Sequence, residues 1–325
     1  MPNFPALILG IFFNALLVSQ AYALPPTSDD FDDLIIGGTQ FYVPPEQGKK
    51  EPSIAIAETQ ILLDQRGFSP GVIDGLDTRR FRLALATHNR ERPDEKIQIS
   101  LIPTTNNPLL TTYKITAEDI AGPFTSDIPA LYIDQAKLPH LGFRNVVEML
   151  AERFHMDEGF LRSLNKKAVF DEAGTIIRVA NVGRDLQTRV ARLEADKSKL
   201  QVRAFDENDN MIAAYPASIG SQSTPSPTGT HKVKNKAQNP RYTYDPNGSA
   251  QPGLSKGLVR LPAGPNSPVG NAWIGLSKPT YGIHGTPEPS QIGVTASVGC
   301  IRLTNWDALE LARLLRRGVA VSFIE

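Results

Sequence analysis

One cysteine, Cys300, occurs in 325 residues. No disulfide can form within the chain, so every folded part has to be held by an apolar core of its own. Neither sign of charge is in excess, because 34 Lys and Arg balance 34 Asp and Glu. That balance gives no nucleic-acid footprint and no polybasic membrane patch. Histidine is scarce too: the five present are scattered, without paired ligands beside them. The spacing suggests no metal site, and neither metal nor cofactor is expected. A largely apolar run extends from Phe4 to Val18 with Asn14 its one polar residue, but it is too short to cross a bilayer as a stable helix.

That run is followed by the small-x-small sequence Ala21-Tyr-Ala23 and then Leu24-Pro-Pro, so residues 1–23 read as an export signal cleaved after Ala23. The stretch before the run departs from the usual pattern in having no Lys or Arg. No cysteine directly follows the run, which excludes lipid attachment of the bacterial lipoprotein kind. The expected location is the periplasm, with no membrane association once the signal is removed. What remains is long enough for two or three domains.

The chemistry concentrates in Tyr281-Gly-Ile-His284-Gly285-Thr286 and, one short loop later, Ser297-Val-Gly299-Cys300-Ile-Arg302-Leu303. A thiol becomes an effective nucleophile when a neighbouring imidazole takes its proton. A glycine beside it lets backbone N–H groups approach a developing oxyanion, and an arginine can hold an anionic group of a substrate. The alternation of Cys300-Ile-Arg302-Leu303 predicts a strand with Cys300 and Arg302 on one face and the two aliphatic residues on the other. An inert buried cysteine and a structural histidine fit the same spacing. His231 is the rival base, but it lies far from Cys300 in sequence and no glycine follows it.

The string His-Gly-Thr, a gap, then Ser-x-Gly-Cys-Ile-Arg-Leu resembles the signature of the L,D-transpeptidase (YkuD-type) catalytic domain. Ser226-Pro-Thr-Gly229 and Pro265-Asn-Ser-Pro-Val-Gly270-Asn-Ala-Trp273-Ile-Gly275-Leu276 are similar to further family pieces, in the family's order over residues 198–325. The resemblance implies a mainly-β, sandwich-like catalytic domain in which His284 takes the proton of Cys300 and the carbonyl of Gly285 orients the imidazole. It implies oxyanion and site-loop roles for Gly299 and Ser297, and substrate contacts for Arg302, Tyr281 and Trp273. It implies peptidoglycan as partner, with a stem tetrapeptide as donor and an amine, or water in a trimming reaction, as acceptor; a wall-anchored lipoprotein lysine is one such amine. Val298 stands where many family members have a second histidine. A wall-binding protein with a decayed or regulatory catalytic domain is the other reading.

Upstream, residues 24–50 read as a flexible lead-in. Leu62-x4-Gly67-Phe-Ser-Pro-Gly71-Val-Ile-Asp74-Gly75 and Thr78-x-x-Phe81-x-x-Ala84-Leu85 resemble a small helical peptidoglycan-binding domain over residues 51–92. Thr78 reads there as a helix N-cap. Residues 93–130, rich in Pro, Thr and Asn, read as linker or irregular surface. Two short helices and a strand over residues 131–181, with an opening strand placed near Tyr132-Ile133, are similar to a LysM glycan-binding module; a plain helical spacer fits as well. Residues 182–197 read as a connector, either helix or strand. In residues 198–325, Leu200–Phe205 and Met211–Tyr215 alternate as a hairpin. Ser218-Ile-Gly220 reads as a turn. Thr304-Asn-Trp-Asp307 opens a helix by a capping-box-like start, expected to be structural. The whole is α+β and multidomain.

Overall fold

The computed structural model describes residues 34–36, 39–41, 51–99, 108–184, 186–220, 226–244, 258–294 and 299–325. The expected export signal, and with it Ser297 and Val298, lies outside the described residues. The chain divides into two units, Met1–Glu46 and Gln47–Glu325. In the first, β1 (Leu34–Ile36) pairs antiparallel with β2 (Thr39–Phe41), so the lead-in contains a short pair of strands.

The second unit begins with α1 (Ile54–Gln65) and α2 (Arg79–Glu91). As expected, Thr78 caps α2, its hydroxyl accepting from the Phe81 N–H. Most of the motif between the helices points inward. Phe68, Val72, Ile73 and Asp74 are all buried, as is Phe81 in α2. Gln60 closes the loop by donating to the Asp74 carboxylate at 2.8 Å and accepting from the Gly75 N–H at 2.8 Å. The motif therefore specifies a fold.

Residues 93–130 correct the linker expectation. They supply β3 (Leu110–Lys114) and α3 (Ala117–Ala121), the latter closed by a complete Thr116/Asp119 capping box. The opening strand expected near Tyr132 is instead the short helix α4 (Tyr132–Gln135). Then come α5 (Val146–Arg153), α6 (Glu158–Leu164) and β4 (Ile176–Ala180). β3 pairs antiparallel with β4, Leu110 opposite Ala180. Asn165 ties α6 to β4 by donating to the carbonyls of Leu161 and Arg178 and accepting from the Arg178 N–H.

The remaining chain is dominated by β structure. β5 (Arg192–Asp196), β6 (Gln201–Phe205), β7 (Met211–Pro216), β8 (Ser218–Ile219) and β9 (Gly229–Gln238) are followed by the pair β10 (Tyr242–Tyr244) and β11 (Val259–Leu261). β12 (Ala272–Leu276), β13 (Gly282–His284), β14 (Ile301–Arg302), α7 (Asn305–Leu314) and β15 (Ala320–Ile324) complete the unit. Nine strands form one sheet in the order β7-β6-β5-β15-β9-β12-β13-β14-β8. β9 serves both halves: Gly229–Lys232 pair with β15 and Val233–Gln238 with β12. One apolar core draws on strands of both halves and on Leu311 and Leu314 of α7. The catalytic sheet starts earlier than residue 198, because β5 pairs with β6 and with β15. Ser218-Ile219, expected as a turn, is an edge strand bonded to β14.

Two features join the halves. The open edge of β7 is covered by Gly67–Ser69, with Ala214 N–H donating to Gly67 and Ser69 N–H donating to Ala214, each at 2.9 Å. A bare edge strand is an invitation to wrong pairing, and here the first helical segment occupies it. Gly67 sits at φ +82, where a Cβ would lie 2.7 Å from the Ile212 carbonyl. Nothing larger than glycine allows that approach. The core around α1, α2, α5 and α6 also includes Phe205, Met211 and Ala214 of the catalytic sheet. Burying a large apolar side chain contributes roughly 1.5–3 kcal/mol, so the seam is a shared core.

Candidate active site

Parallel pairing of β13 with β14 brings the chemical residues together. Ile283 is opposite Ile301, and His284 is opposite Arg302. Cys300 immediately precedes β14 and, by the two-residue period, shares a face with Arg302. Since paired residues point the same way, His284 lies on that face as well, two residues along the neighbouring strand from the thiol. Ile283, Ile301 and Leu303 are buried on the other side. The strand expected over Cys300–Leu303 is confined to Ile301–Arg302, with Cys300 in the bend before it.

The imidazole is fixed on two sides. Its Nδ1 lies 2.7 Å from the Gly285 carbonyl oxygen. A carbonyl can only accept, so Nδ1 carries the hydrogen and Nε2 is left as the proton acceptor. Trp273, opposite His284 on β12, stacks on the ring with centroids 5.6 Å apart and planes at 17°. The indole lies across Gly282, where a Cβ would come within 2.6 Å of it. Trp273, expected at the substrate, thus stands behind the His284 ring. Tyr281 stands at the turn before β13, with the Lys278 ammonium 4.6 Å from its ring centroid.

The thiol is half-buried. Its sulfur is 3.7 Å from the Thr280 carbonyl, which accepts the S–H, and Thr280 has φ +68. A β-branched residue in that region is strained, and its carbonyl faces the thiol. Burial raises the Cys300 pKa, opposed by the Gly282 N–H and by the Arg302 charge. Burial lowers the His284 pKa to about 4, with the Gly285 hydrogen bond opposing and Arg302 adding to the fall. Burial thus favours the neutral form of each group, the thiol at Cys300 and the uncharged imidazole at His284. The expected outcome is that alkylation of Cys300 by iodoacetamide climbs with pH through the alkaline range of a raised thiol. A rate plateau between about pH 5 and 8, the mark of an ion pair, would contradict it.

Gly299, at φ +89, occupies the left-handed turn before Cys300. The buried Ser226 hydroxyl donates to its carbonyl at 2.8 Å and locks that peptide. Sequence reading singled out Ser226 only as part of a motif; its role appears in the fold. His231 sits on β9 opposite Val321, its Nε2 3.2 Å from the Thr228 carbonyl and its ring edge-on to Phe323. It is not on β13 or β14.

Asn305, at the first turn of α7, is the residue that sequence reading missed. Buried to 1% exposure, it accepts at Oδ1 from the N–H groups of Asn271 and Thr286 at 3.1 and 3.2 Å. Its amide nitrogen donates to both oxygens of Glu152 at 2.9 and 3.0 Å and to the Pro265 carbonyl. The available signal was Gly270 and Gly285. A Cβ at either would lie 1.9 or 2.2 Å from Asn305 Oδ1, so both glycines mark a polar group pressed against the histidine loop. A helix read as purely structural thus supports the site.

Residues 191–322 match the YkuD family, described as the L,D-transpeptidase catalytic domain. The chain is 35% identical over 116 residues to the Bacillus licheniformis protein carrying the name L,D-transpeptidase YkuD, covering 36% of this chain and 55% of that one. It is 28% identical over 139 residues to Escherichia coli K12 YbiS, also named an L,D-transpeptidase, covering 40% and 43%. The chain thus spans about half the length of these curated relatives. Among solved structures, L,D-transpeptidase 3 from Mycobacterium tuberculosis aligns at 16% identity and a TM-score of 0.35, over 47% of this chain and 76% of that one.

Proposed function

We propose, from the match of residues 191–322 to the YkuD L,D-transpeptidase catalytic-domain family, that this protein is a cysteine acyltransferase acting on peptidoglycan stem peptides outside the cytoplasm. The observation that carries the reading is the His284 Nδ1 to Gly285 carbonyl contact of 2.7 Å, which leaves Nε2 as the base on the face that Cys300 shares.

In this reading Cys300 attacks the amide between the third residue of a stem tetrapeptide and its terminal D-alanine. The S–H proton passes to His284 Nε2 as the C–S bond forms, in keeping with burial favouring the neutral form of each group. Backbone N–H groups around Gly299 and Cys300 take the oxyanion charge. His284 returns the proton to the departing amine, D-alanine leaves, and a thioester remains. An amine acceptor, or water, then attacks that thioester with His284 as base, and the thiol is restored. Ser297 shapes the loop, and Arg302 lowers the cost of thiolate character or meets a substrate carboxylate. The helical segments upstream hold the enzyme on polymeric wall and raise the local concentration of donor and acceptor.

Incubating the full chain with a defined muropeptide or a carbapenem and weighing the intact protein tests the reading. A mass adduct on the wild type, absent in Cys300→Ala, is expected. No adduct at any pH would leave a wall-binding protein without transferase activity.

A further inference from the structure

We infer that Glu152, on α5 outside the catalytic domain, is a positioning residue for the base His284, acting through Asn305. The inference rests on the reading of His284 as that base. Asn305 is braced against both peptide segments that matter. It holds the Thr286 N–H, immediately after the Gly285 carbonyl that orients the imidazole, and the Asn271 N–H, just before β12 and the indole behind the ring. Two backbone donors on Oδ1 fix the amide's orientation, so its NH₂ must face Glu152. The two Glu152 oxygens receive that group at 2.9 and 3.0 Å.

The same helix makes a second grip one turn earlier. Glu148 accepts from the Asn266 amide at 2.9 Å, and Asn266 also donates to the Gly142 carbonyl and accepts from Arg144. Positions i and i+4 share a helix face, so α5 presents two carboxyls to two asparagines of the catalytic half. Glu152 is costly to keep there. Loss of water pushes its carboxyl up to about 8, with Asn305 opposing and Glu148 and Glu158 adding to the rise. A carboxyl held in that state contributes little stability by itself. Its geometric use is to stop the Asn305 side chain turning, and through it to hold the peptide that selects the histidine tautomer.

The test uses the full chain, labelled with ¹⁵N at histidine. In the wild type the His284 ring is expected as a single Nδ1–H tautomer with a slowly exchanging proton. Glu152→Ala and Asn305→Ala should each mix the tautomers and speed that exchange. Both should lower the acylation rate about tenfold or more with little change in half-saturating substrate, as expected for a displaced base. Since the two act as one unit, the double variant should be no worse than Asn305→Ala. Glu152→Gln, which keeps one acceptor oxygen, should recover most of the rate. If Glu152→Ala fails to fold, Glu152→Met, of similar length and without an acceptor, carries the same measurement. An unchanged His284 tautomer in a folded Glu152 variant overturns the inference while leaving the transferase reading intact. A wild type with the expected tautomer but no acyl adduct overturns the transferase reading and leaves the positioning in place.

Discussion

His284→Ala is expected to slow acylation of Cys300 by roughly 10²–10⁴-fold while leaving alkylation at high pH almost unchanged. The two rates part because they ask different things of the site. Alkylation in alkali uses thiolate made by hydroxide, which needs no imidazole. Acylation near neutral pH begins from a thiol whose pKa burial has raised and an imidazole whose pKa burial has lowered to about 4. Some group has to take the proton during the attack, and His284 Nε2 is the acceptor left by the Nδ1 to Gly285 bond. Acylation measured by intact mass against time, beside iodoacetamide kinetics on the same preparation, separates them. Equal loss in both would indicate a collapsed site, and acylation at wild-type rate would remove His284 from the mechanism.

Gly285→Ala should cost about 100-fold in acylation rate with the fold retained, a larger effect than one methyl group usually has. The added Cβ would meet Asn305 Oδ1 at 2.2 Å, with the Asn305 Cγ and Cα at 3.2 and 3.3 Å. That side chain is tethered by contacts to Asn271, Thr286, Glu152 and Pro265 and cannot swing aside. The loop has to move, taking the carbonyl that sets the imidazole with it. A displacement near 1 Å can cost about 10² in rate. Gly318→Ala is the comparison: its Cβ meets nothing within 4 Å and its φ is +95, so it strains the backbone far from the thiol and should leave acylation alone. Stopped-time acylation assays with thermal melts decide the matter. Wild-type kinetics in Gly285→Ala would mean that the Asn305 contact has no hold on the base.

Much of the centre could be read from the chain because its determinants are local. Cys300, His284 and Gly285 lie within one short stretch, and the contact expected between the Gly285 carbonyl and the His284 ring is present. Thr78 capped its helix as expected, and the Leu200–Tyr215 alternation became β6 and β7. What escaped was long-range. Glu152 and Asn305 are 153 residues apart, and each alone is an ordinary polar residue of a helix. β3 was hidden because Leu110–Lys114 is short and threonine-rich, and it acquires a strand's identity only from β4. Ser218-Ile219 looked like a turn for the same reason, becoming a strand through β14. Trp273 was expected at the substrate from the resemblance; stacking on His284 gives it a place behind that ring.

The way Gly67–Ser69 seals the rim of the sheet at Ala214 bears on how such a chain can diverge. Modules strung on loose tethers can be exchanged between proteins like beads. Here the donor loop and the strand it zips to are fitted as one seam, so a change on either side calls for an answering change on the other. Transplanting residues 191–325 alone onto a foreign neighbour would leave the Ala214 N–H and carbonyl unmet on the edge of β7. Recombination of this architecture is therefore expected to succeed only when the break falls outside the seam.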